Sequence, residues 1–419
     1  MPKRILYVHA CAGLGGAPLS LLYLIEQLDR NRYEPEVLFV GRAGEEVDLY
    51  RRRKVALRVL PDITTYPHAR NAYLSLRSLR PWEIATRALQ VLPSARRMRD
   101  ELWARPVDLV HINTSALLPA GLGALWAGVP VVWHVREPLH PGTLGVRRWL
   151  VRRCIDRCSR AVIAISRFDA APLIQGPKVH VVYNFVDFNR FDRRLDGNRF
   201  RASLDLPSDR PLVVMLGGLI ASKGPDVFVQ AASLVRQRRP DIVFLIAGLP
   251  PRGDSPSRIR RTVRRLVEAT GFVSNVERRV VTLVRQHRLD DTVRFTGMRD
   301  DVPEMLAASA VVVWPGTVSH FARPLIEAAA MGRPVVASDL PSAREIVAPG
   351  LTGLLATPGD PRSFATAILD LIEHPGEAKR MGEAAFVSAR ERYDAYRNAA
   401  SIISIYDEVL GQQTPGARA

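Results

Sequence analysis

Cysteine is scarce, with three among 419 residues, and Cys154 and Cys158 stand four apart without a second pair or a suitably spaced histidine. That excludes a disulfide framework and a structural zinc module, and leaves reduced thiols of a cytoplasmic protein as the expectation. Acidic side chains are also short, 42 Asp and Glu against 59 Lys and Arg, so the field around the chain draws in anions. Aromatic residues, at 7%, do not interleave with arginine clusters such as Arg96 to Arg99, Arg258 to Arg265 and Arg278/Arg279. Base stacking needs that interleaving, so nucleic acid is set aside in favour of nucleotide phosphates, or of peripheral contact with an anionic membrane surface. Long apolar runs are missing too. The longest uncharged stretch, Ile112 to Trp133, holds Asn113, Pro119, Pro130 and several glycines, and reads as the end of one strand, a small-residue helix and a second strand rather than a membrane span. His9 and the glycines after it break the apolar run that follows Lys3 and Arg4, which suits a first strand and not an export signal.

What is present is enough apolar surface, 47% of residues, for two cores, and a length that favours two domains. Ile5 to Val8, Leu19 to Leu28 and Val37 to Val40 alternate strand and helix periods as βαβ units do. The rhythm returns with Leu212 to Leu216, a helix from Pro225, Ile242 to Ala247, Val293 to Thr296, Ala310 to Trp314 and Val335 to Ala337. The spacing predicts an α/β protein with an N-terminal Rossmann-like domain over 1–188, a polar linker over 189–210 and a second Rossmann-like domain over 211–390. A C-terminal helix over 391–412 and a tail over 413–419 complete it. Arg258 to Leu289 reads as helical, and Tyr396, Ala400, Ile403 and Tyr406 define the expected packed stripe of the last helix.

Three segments carry the chemistry. Gly13-Leu14-Gly15-Gly16-Ala17-Pro18 follows the first strand, where glycines let a backbone approach a phosphate at a helix N-terminus. Pro18 and Arg42 stand where a dinucleotide fingerprint would need glycine and an acidic residue, which argues against a dehydrogenase. Gly217 to Pro225 places Lys223 between glycines, just ahead of a helix, where it is a candidate for meeting a diphosphate or a solvated loop lysine. His320-Phe321-Ala322-Arg323-Pro324-Leu325 leads from a strand into a helix whose first turn contains Glu327, a carboxylate free to bind a ligand or simply to favour the helix dipole. Ser342 to Glu345 has capping-box spacing and needs no chemical role.

The order of these pieces resembles the family-4, retaining, GT-B-fold glycosyltransferases, also called glycosyl transferases group 1. The likeness spans nearly the whole chain and is strongest at Val293 to Gly297, Glu327-Ala328, Gly332 to Val335 and Gly350 to Gly353. It implies two Rossmann-like domains facing each other across a donor-binding cleft, a UDP- or GDP-sugar donor, a saccharide or lipid-linked acceptor, and no cofactor or required metal. No Asp-x-Asp motif accompanies the candidate segments. It further implies that Gly15, Gly16, Gly217, Lys223, His320, Phe321, Ala322, Arg323, Pro324, Leu325 and Glu327 form the donor site, and that His134 meets the donor sugar as the catalytic candidate. Its plain alternative is a polar or capping histidine. Two positions depart from the family pattern: Ser319 replaces the first of two glutamates seven residues apart, and Gly218 replaces an arginine. The expected activity is transfer of a hexose-type sugar, in surface polysaccharide or glycolipid synthesis. The rivals are a sugar-nucleotide epimerase of the same fold and an inactive module that binds anionic lipid or polysaccharide.

Overall fold

The computed structural model describes residues 1–11, 15–66, 81–248 and 276–411. Gly13 and Leu14, residues 258–275 of the expected helical run and the tail from 412 lie outside the described residues. The chain divides into two compact units, Met1–Phe185 with Tyr393–Ala419, and Val186–Arg392. Residues 189–210, expected to be a linker, therefore belong to the second unit. The physical reason is local: Phe200 is buried on a short helix, Asn198–Ala202, and Arg201 donates to the Ala308 carbonyl at 2.8 Å.

In the first unit, β1 (Lys3–Ala10), β2 (Tyr33–Val40), β3 (Leu57–Leu60), β4 (Leu109–Ile112), β5 (Val131–Val135), β6 (Ala161–Ala164) and β7 (Val179–Val181) form one sheet in the order β3-β2-β1-β4-β5-β6-β7. Every pairing is parallel. Parallel strands need crossover helices on both faces, so the central strands are buried on both sides and read as continuous apolar runs. Ile5, Tyr7, Leu109 and Val132 pack on one side with the helices Gly16–Glu26 and Ala395–Leu410. Leu6, Val8, Val110, Ile112 and Trp133 pack on the other, against the helices Val91–Ala104 and Leu118–Ala127. The uncharged stretch resolves as the sequence suggested. Its helix is rich in small residues because a Cβ on Gly121 would sit 2.2 Å from the Trp133 ring.

In the second unit, β8 (Leu212–Leu216), β9 (Val243–Ala247), β10 (Val293–Gly297), β11 (Val311–Trp314), β12 (Val335–Ser338) and β13 (Leu354–Ala356) form a parallel sheet in the order β10-β9-β8-β11-β12-β13. Counted from each unit's first strand, both sheets follow the doubly wound order 3-2-1-4-5-6, the first with one strand added.

Two local expectations are corrected. The last helix buries Ala395, Asn398, Ala399, Ile402, Ile405, Tyr406 and Asp407, while Tyr396 is 77% exposed and Ala400 is exposed. Asp394 caps this helix by accepting from the Arg397 amide at 3.0 Å, and the face so phased is built of small residues that a search for large apolar ones passes over. The capping box at Ser342 is also absent. Leu340 is the N-cap of the Pro341–Arg344 helix, without a side-chain cap, and Ser342 donates instead to Ser319 Oγ at 3.4 Å.

Candidate functional site

In doubly wound sheets ligands bind outside the carboxyl ends of the strands where the strand order reverses. These switch points lie between β1 and β4 in the first unit and between β8 and β11 in the second. The residues singled out in the sequence fall at these two places: Gly15, Gly16 and His134 at the first, and the remainder at the second.

In the second unit β8 runs into Gly217, with φ of +120°, and Gly218, with φ of +61°. Both amides donate to the Ala247 carbonyl at 2.9 Å. They are occupied within the protein, so Gly217 contributes room rather than a donor: a Cβ there would lie 3.1 Å from Lys223 Cγ. A single turn, Ala221–Lys223, ends at Gly224, whose φ of +69° and approach to the Pro315 carbonyl exclude a side chain. This close approach brings Lys223 against the loop that follows β11.

His320 Nδ1 donates to the Val318 carbonyl at 2.8 Å, which leaves Nε2 as an acceptor for the Lys223 ammonium at 2.5 Å. The His320 ring meets Trp314 edge-on, with centroids 5.4 Å apart. Burial pulls Lys223 down to about 8. Burial and the Lys223 charge hold His320 near 3, so the imidazole is neutral. Arg323 opens the helix Arg323–Ala330 and Glu327 lies one turn on, with Arg323 Nε donating to Glu327 Oε1 at 2.6 Å. Both side chains are 9% exposed. Burial raises the Glu327 pKa, against the opposing pull of Arg323 and then Arg190. Ala322 supplies no side-chain cap at this helix N-terminus, and Phe321, Ala322 and Leu325 are buried in packing, with Pro324 in the first turn. The cluster thus joins a lysine of lowered pKa, a neutral histidine and an arginine–carboxylate pair at an uncapped helix end, a combination suited to an anionic ligand with hydroxyls beside it.

In the first unit Gly15 is the extended N-cap of the helix Gly16–Glu26, again without a side-chain cap. Residue parity puts His9 on β1, His111 on β4 and His134 on β5 on the same face, and all three are buried. Arg136 joins them: its Nε donates to Asn113 Oδ1 at 2.5 Å, its Nη1 to Asn184 Oδ1 at 2.7 Å and its Nη2 to His134 Nδ1 at 3.4 Å. Asn113 Nδ2 in turn donates to His9 Nδ1 at 3.0 Å. A guanidinium can only donate, so His134 Nδ1 carries no proton and its hydrogen sits on Nε2. That Nε2 is buried without a hydrogen-bond partner among the described residues. Burial first, then Arg136, holds His111 and His134 far below the usual histidine range. Glu137 pins β4 to β5 by accepting from Thr114 Oγ1, from the Ser115 amide at 2.9 Å and from Ser115 Oγ at 2.7 Å.

Sequence reasoning passed over Arg136, Asn113, Asn184, Arg190 and Trp314. The signal for Arg136 was available, since Trp133-His134-Val135-Arg136 places two polar residues on one side of a strand end. For Asn184 and Arg190, which reach the site from loops, no periodicity existed to find them. Among the described residues no group of three His, Cys, Asp or Glu side chains is placed to hold a metal, and no helix is long and apolar enough to cross a membrane.

Each of the two doubly wound units carries a polar cluster at its switch point. Residues 14–190 match the model of Glycosyltransferase Family 4, and residues 196–387 match that of Glycosyl transferases group 1. The chain belongs to this family of glycosyltransferases. It is 26% identical over 409 residues to the alpha-D-kanosaminyltransferase of Streptomyces kanamyceticus, covering 92% of this chain and 98% of that protein. To the alpha-maltose-1-phosphate synthase of Mycolicibacterium smegmatis it is 29% identical, over 73% of this chain and 80% of the relative. Among solved structures, Anabaena HepE in complex with UDP-glucose superposes with a TM-score of 0.75 at 22% identity, covering 97% of this chain and all of that one. This likeness establishes the fold as GT-B. None of the relatives named here is an epimerase, and with the chain placed among transferases the epimerase rival loses its support.

Proposed function

We propose that the chain transfers a hexose-type sugar, with retention at the anomeric carbon, from a UDP- or GDP-sugar to a saccharide or lipid-linked acceptor in surface polysaccharide or glycolipid synthesis. The observation that carries this reading is the Lys223–His320 contact beside the Arg323–Glu327 pair at the second switch point. Breaking the bond between a sugar and a diphosphate places negative charge on the leaving phosphate, and preorganised donors there stabilise the transition state. Lys223 and Arg323 are the donors assigned to that charge. An arriving diphosphate is a stronger partner for the ammonium than a neutral imidazole, so Lys223 exchanges His320 for phosphate oxygens. Glu327, with Oε1 held by Arg323, keeps Oε2 for the ribose hydroxyls of the nucleotide. The Nε2 proton of His134 is assigned to a hydroxyl of the transferred sugar, and the amides beside Gly15 and Gly16 to an anionic group of the donor.

A panel of UDP- and GDP-sugars, read by thermal shift and nucleotide release, tests this reading in the wild type and Glu327→Gln in parallel. Stabilisation by one nucleotide class that weakens in the variant supports it. Failure of every nucleotide to bind would sink it.

We also propose contact with an anionic bilayer, on a separate observation. Val146, Trp149, Leu150, Arg153 and Arg157 fall on one outward stripe of the helix Val146–Cys158, and all are exposed. Leu144 just ahead of it is 95% exposed and held at a φ of +51°. Apolar side chains followed by arginines suit the boundary between acyl chains and anionic headgroups. Vesicles of phosphatidylglycerol and phosphatidylcholine should co-sediment the wild type at low salt and release Trp149→Ser/Leu150→Ser. If the wild type stays in the supernatant, the contact is refuted.

A further inference from the structure

The C-terminal helix sends one side chain into the row of histidines. Tyr406, fully buried, donates its hydroxyl proton to His111 Nδ1 at 2.7 Å, and His111 Nε2 lies 3.3 Å from His134 Nδ1. The direction of each bond follows from Arg136. Because the guanidinium makes His134 Nδ1 an acceptor, His111 Nε2 must be the donor in the contact between the two rings, and His111 Nδ1 is then left to accept from a hydroxyl. The rings are stacked to match, with His111 and His134 centroids 5.3 Å apart at 69°, and His111 and Tyr406 5.8 Å apart at 90°. One oriented run of donors therefore leads from the last helix, through β4, to the unpartnered Nε2–H of His134 on β5. Such runs polarise one another, and in a buried site each link also excludes the opposite tautomer.

We infer that Tyr406 is a positioning residue for the transfer reaction, fixing the tautomer of His111 and, through it, the ring plane in which His134, its own tautomer set by Arg136, offers its Nε2 proton to the donor sugar. This rests on the proposed role of His134. It assigns a chemical task to a helix far along the chain from β5, and it makes His134 a fixed neutral donor rather than a proton shuttle. The analogous use of a neutral imidazole as an electrophile elsewhere depends on the same feature, a proton that stays in place. The neighbouring groups on every side agree: the Arg136 cation faces His134, Tyr7 packs its ring 5.1 Å from His111, and Tyr33 and Arg32 both bond Asp407, which anchors the helix beside Tyr406.

Two readouts on the full chain test the assignment. Long-range 15N–1H spectra of histidine-labelled protein, with the His111 signals assigned by their loss in His111→Gln, should show a single Nε2–H tautomer of His111 in the wild type and a mixture of His111 tautomers in Tyr406→Phe. Nucleotide release from UDP-glucose and GDP-glucose should show kcat falling about tenfold in Tyr406→Phe with KM for the donor unchanged, the loss expected for one neutral hydrogen bond. In the His134→Gln background the same change should cost nothing further. An unaltered His111 tautomer in Tyr406→Phe overturns the inference whatever the donor proves to be. If instead His134→Gln leaves turnover intact, the role of His134 itself has failed, an outcome distinct from failure of the relay. Should Tyr406→Phe lower the melting temperature sharply, His111→Gln, which breaks the run at its middle, gives the same kinetic test.

Discussion

The two switch points share a topology and differ in how their charge is held. In the first unit one guanidinium, Arg136, is surrounded by amide oxygens and a histidine nitrogen, and each neighbour is fixed by it as an acceptor. In the second, Lys223 leans on a neutral imidazole and Arg323 on a carboxylate whose own pKa is raised by burial. The first arrangement has little to gain from rearranging; the second is a set of cations with replaceable partners. A doubly wound sheet can thus present a rigid array of hydrogen-bond donors or a site waiting for an anion at the same position, and the difference lies in a few side chains beyond the strand ends.

The largest effect that would sharpen this contrast is expected at Lys223. Lys223→Ala removes the donor proposed to face the developing charge and should lower kcat/KM for nucleotide release by roughly 10²- to 10³-fold, with thermal stability retained. Arg136→Met should do the reverse. It leaves Asn113, Asn184 and His134 without their common donor, at about 1–3 kcal/mol for each buried group left unsatisfied, so urea denaturation should show a loss of several kcal/mol. If Arg136→Met left stability intact while Lys223→Ala unfolded the protein, the division between rigid array and exchangeable cations would be wrong.

The second site is also expected to titrate in a range where the first does not. With Lys223 pulled down to about 8 in the free protein, a bound diphosphate raises that pKa by favouring the charged form. The affinity for UDP or GDP is therefore full below pH 8 and declines as pH climbs above it, by at most tenfold per unit, until the pKa of the bound state is reached. Isothermal titration between pH 7 and 10 should show this decline, and Lys223→Arg should flatten it. His9 and His320, each held near 3, add no break above pH 5, and burial and then Arg136 push His111 and His134 down from the usual histidine range as well.

The same contrast explains what could be seen in the sequence. The second site was legible because its residues are contiguous: Gly217 to Pro225 and Ser319 to Glu327 are unbroken strings at strand-to-helix turns, where local chemistry and topology coincide. The first site is assembled from strand ends on β1, β4 and β5, the loop carrying Asn184 and a helix some 220 residues further on, and only His134 among its polar residues was singled out. Most interior strands were found because burial on both faces writes them as apolar runs, although β6, only four residues long, was not. Among the edge strands, β3, β7 and β13, only partly buried, carry weaker patterns, while β10 was found at Val293 to Thr296. The phase of the last helix was misjudged because Ala395, Asn398 and Ala399 pack closely without being large, which is what lets Tyr406 reach His111.

The smallest effect separates the units from their sites. Asp394 caps the last helix of the first unit, and Asp360 caps the helix Pro361–Glu373 of the second by accepting from the Arg362 amide at 2.9 Å. Each cap is worth about 1 kcal/mol, so Asp394→Ala and Asp360→Ala should shift the urea midpoint by similar small amounts. Their effects on chemistry should differ. Asp394→Ala loosens the turn that begins the helix carrying Tyr406, while Asp360 follows β13 at the edge of its sheet, two strands from β11. Asp394→Ala should therefore lower kcat for nucleotide release severalfold, and Asp360→Ala should leave it unchanged. Equal effects on kcat would mean that the last helix supports the first switch point only through general stability, and the rigid array would then owe nothing to its attachment.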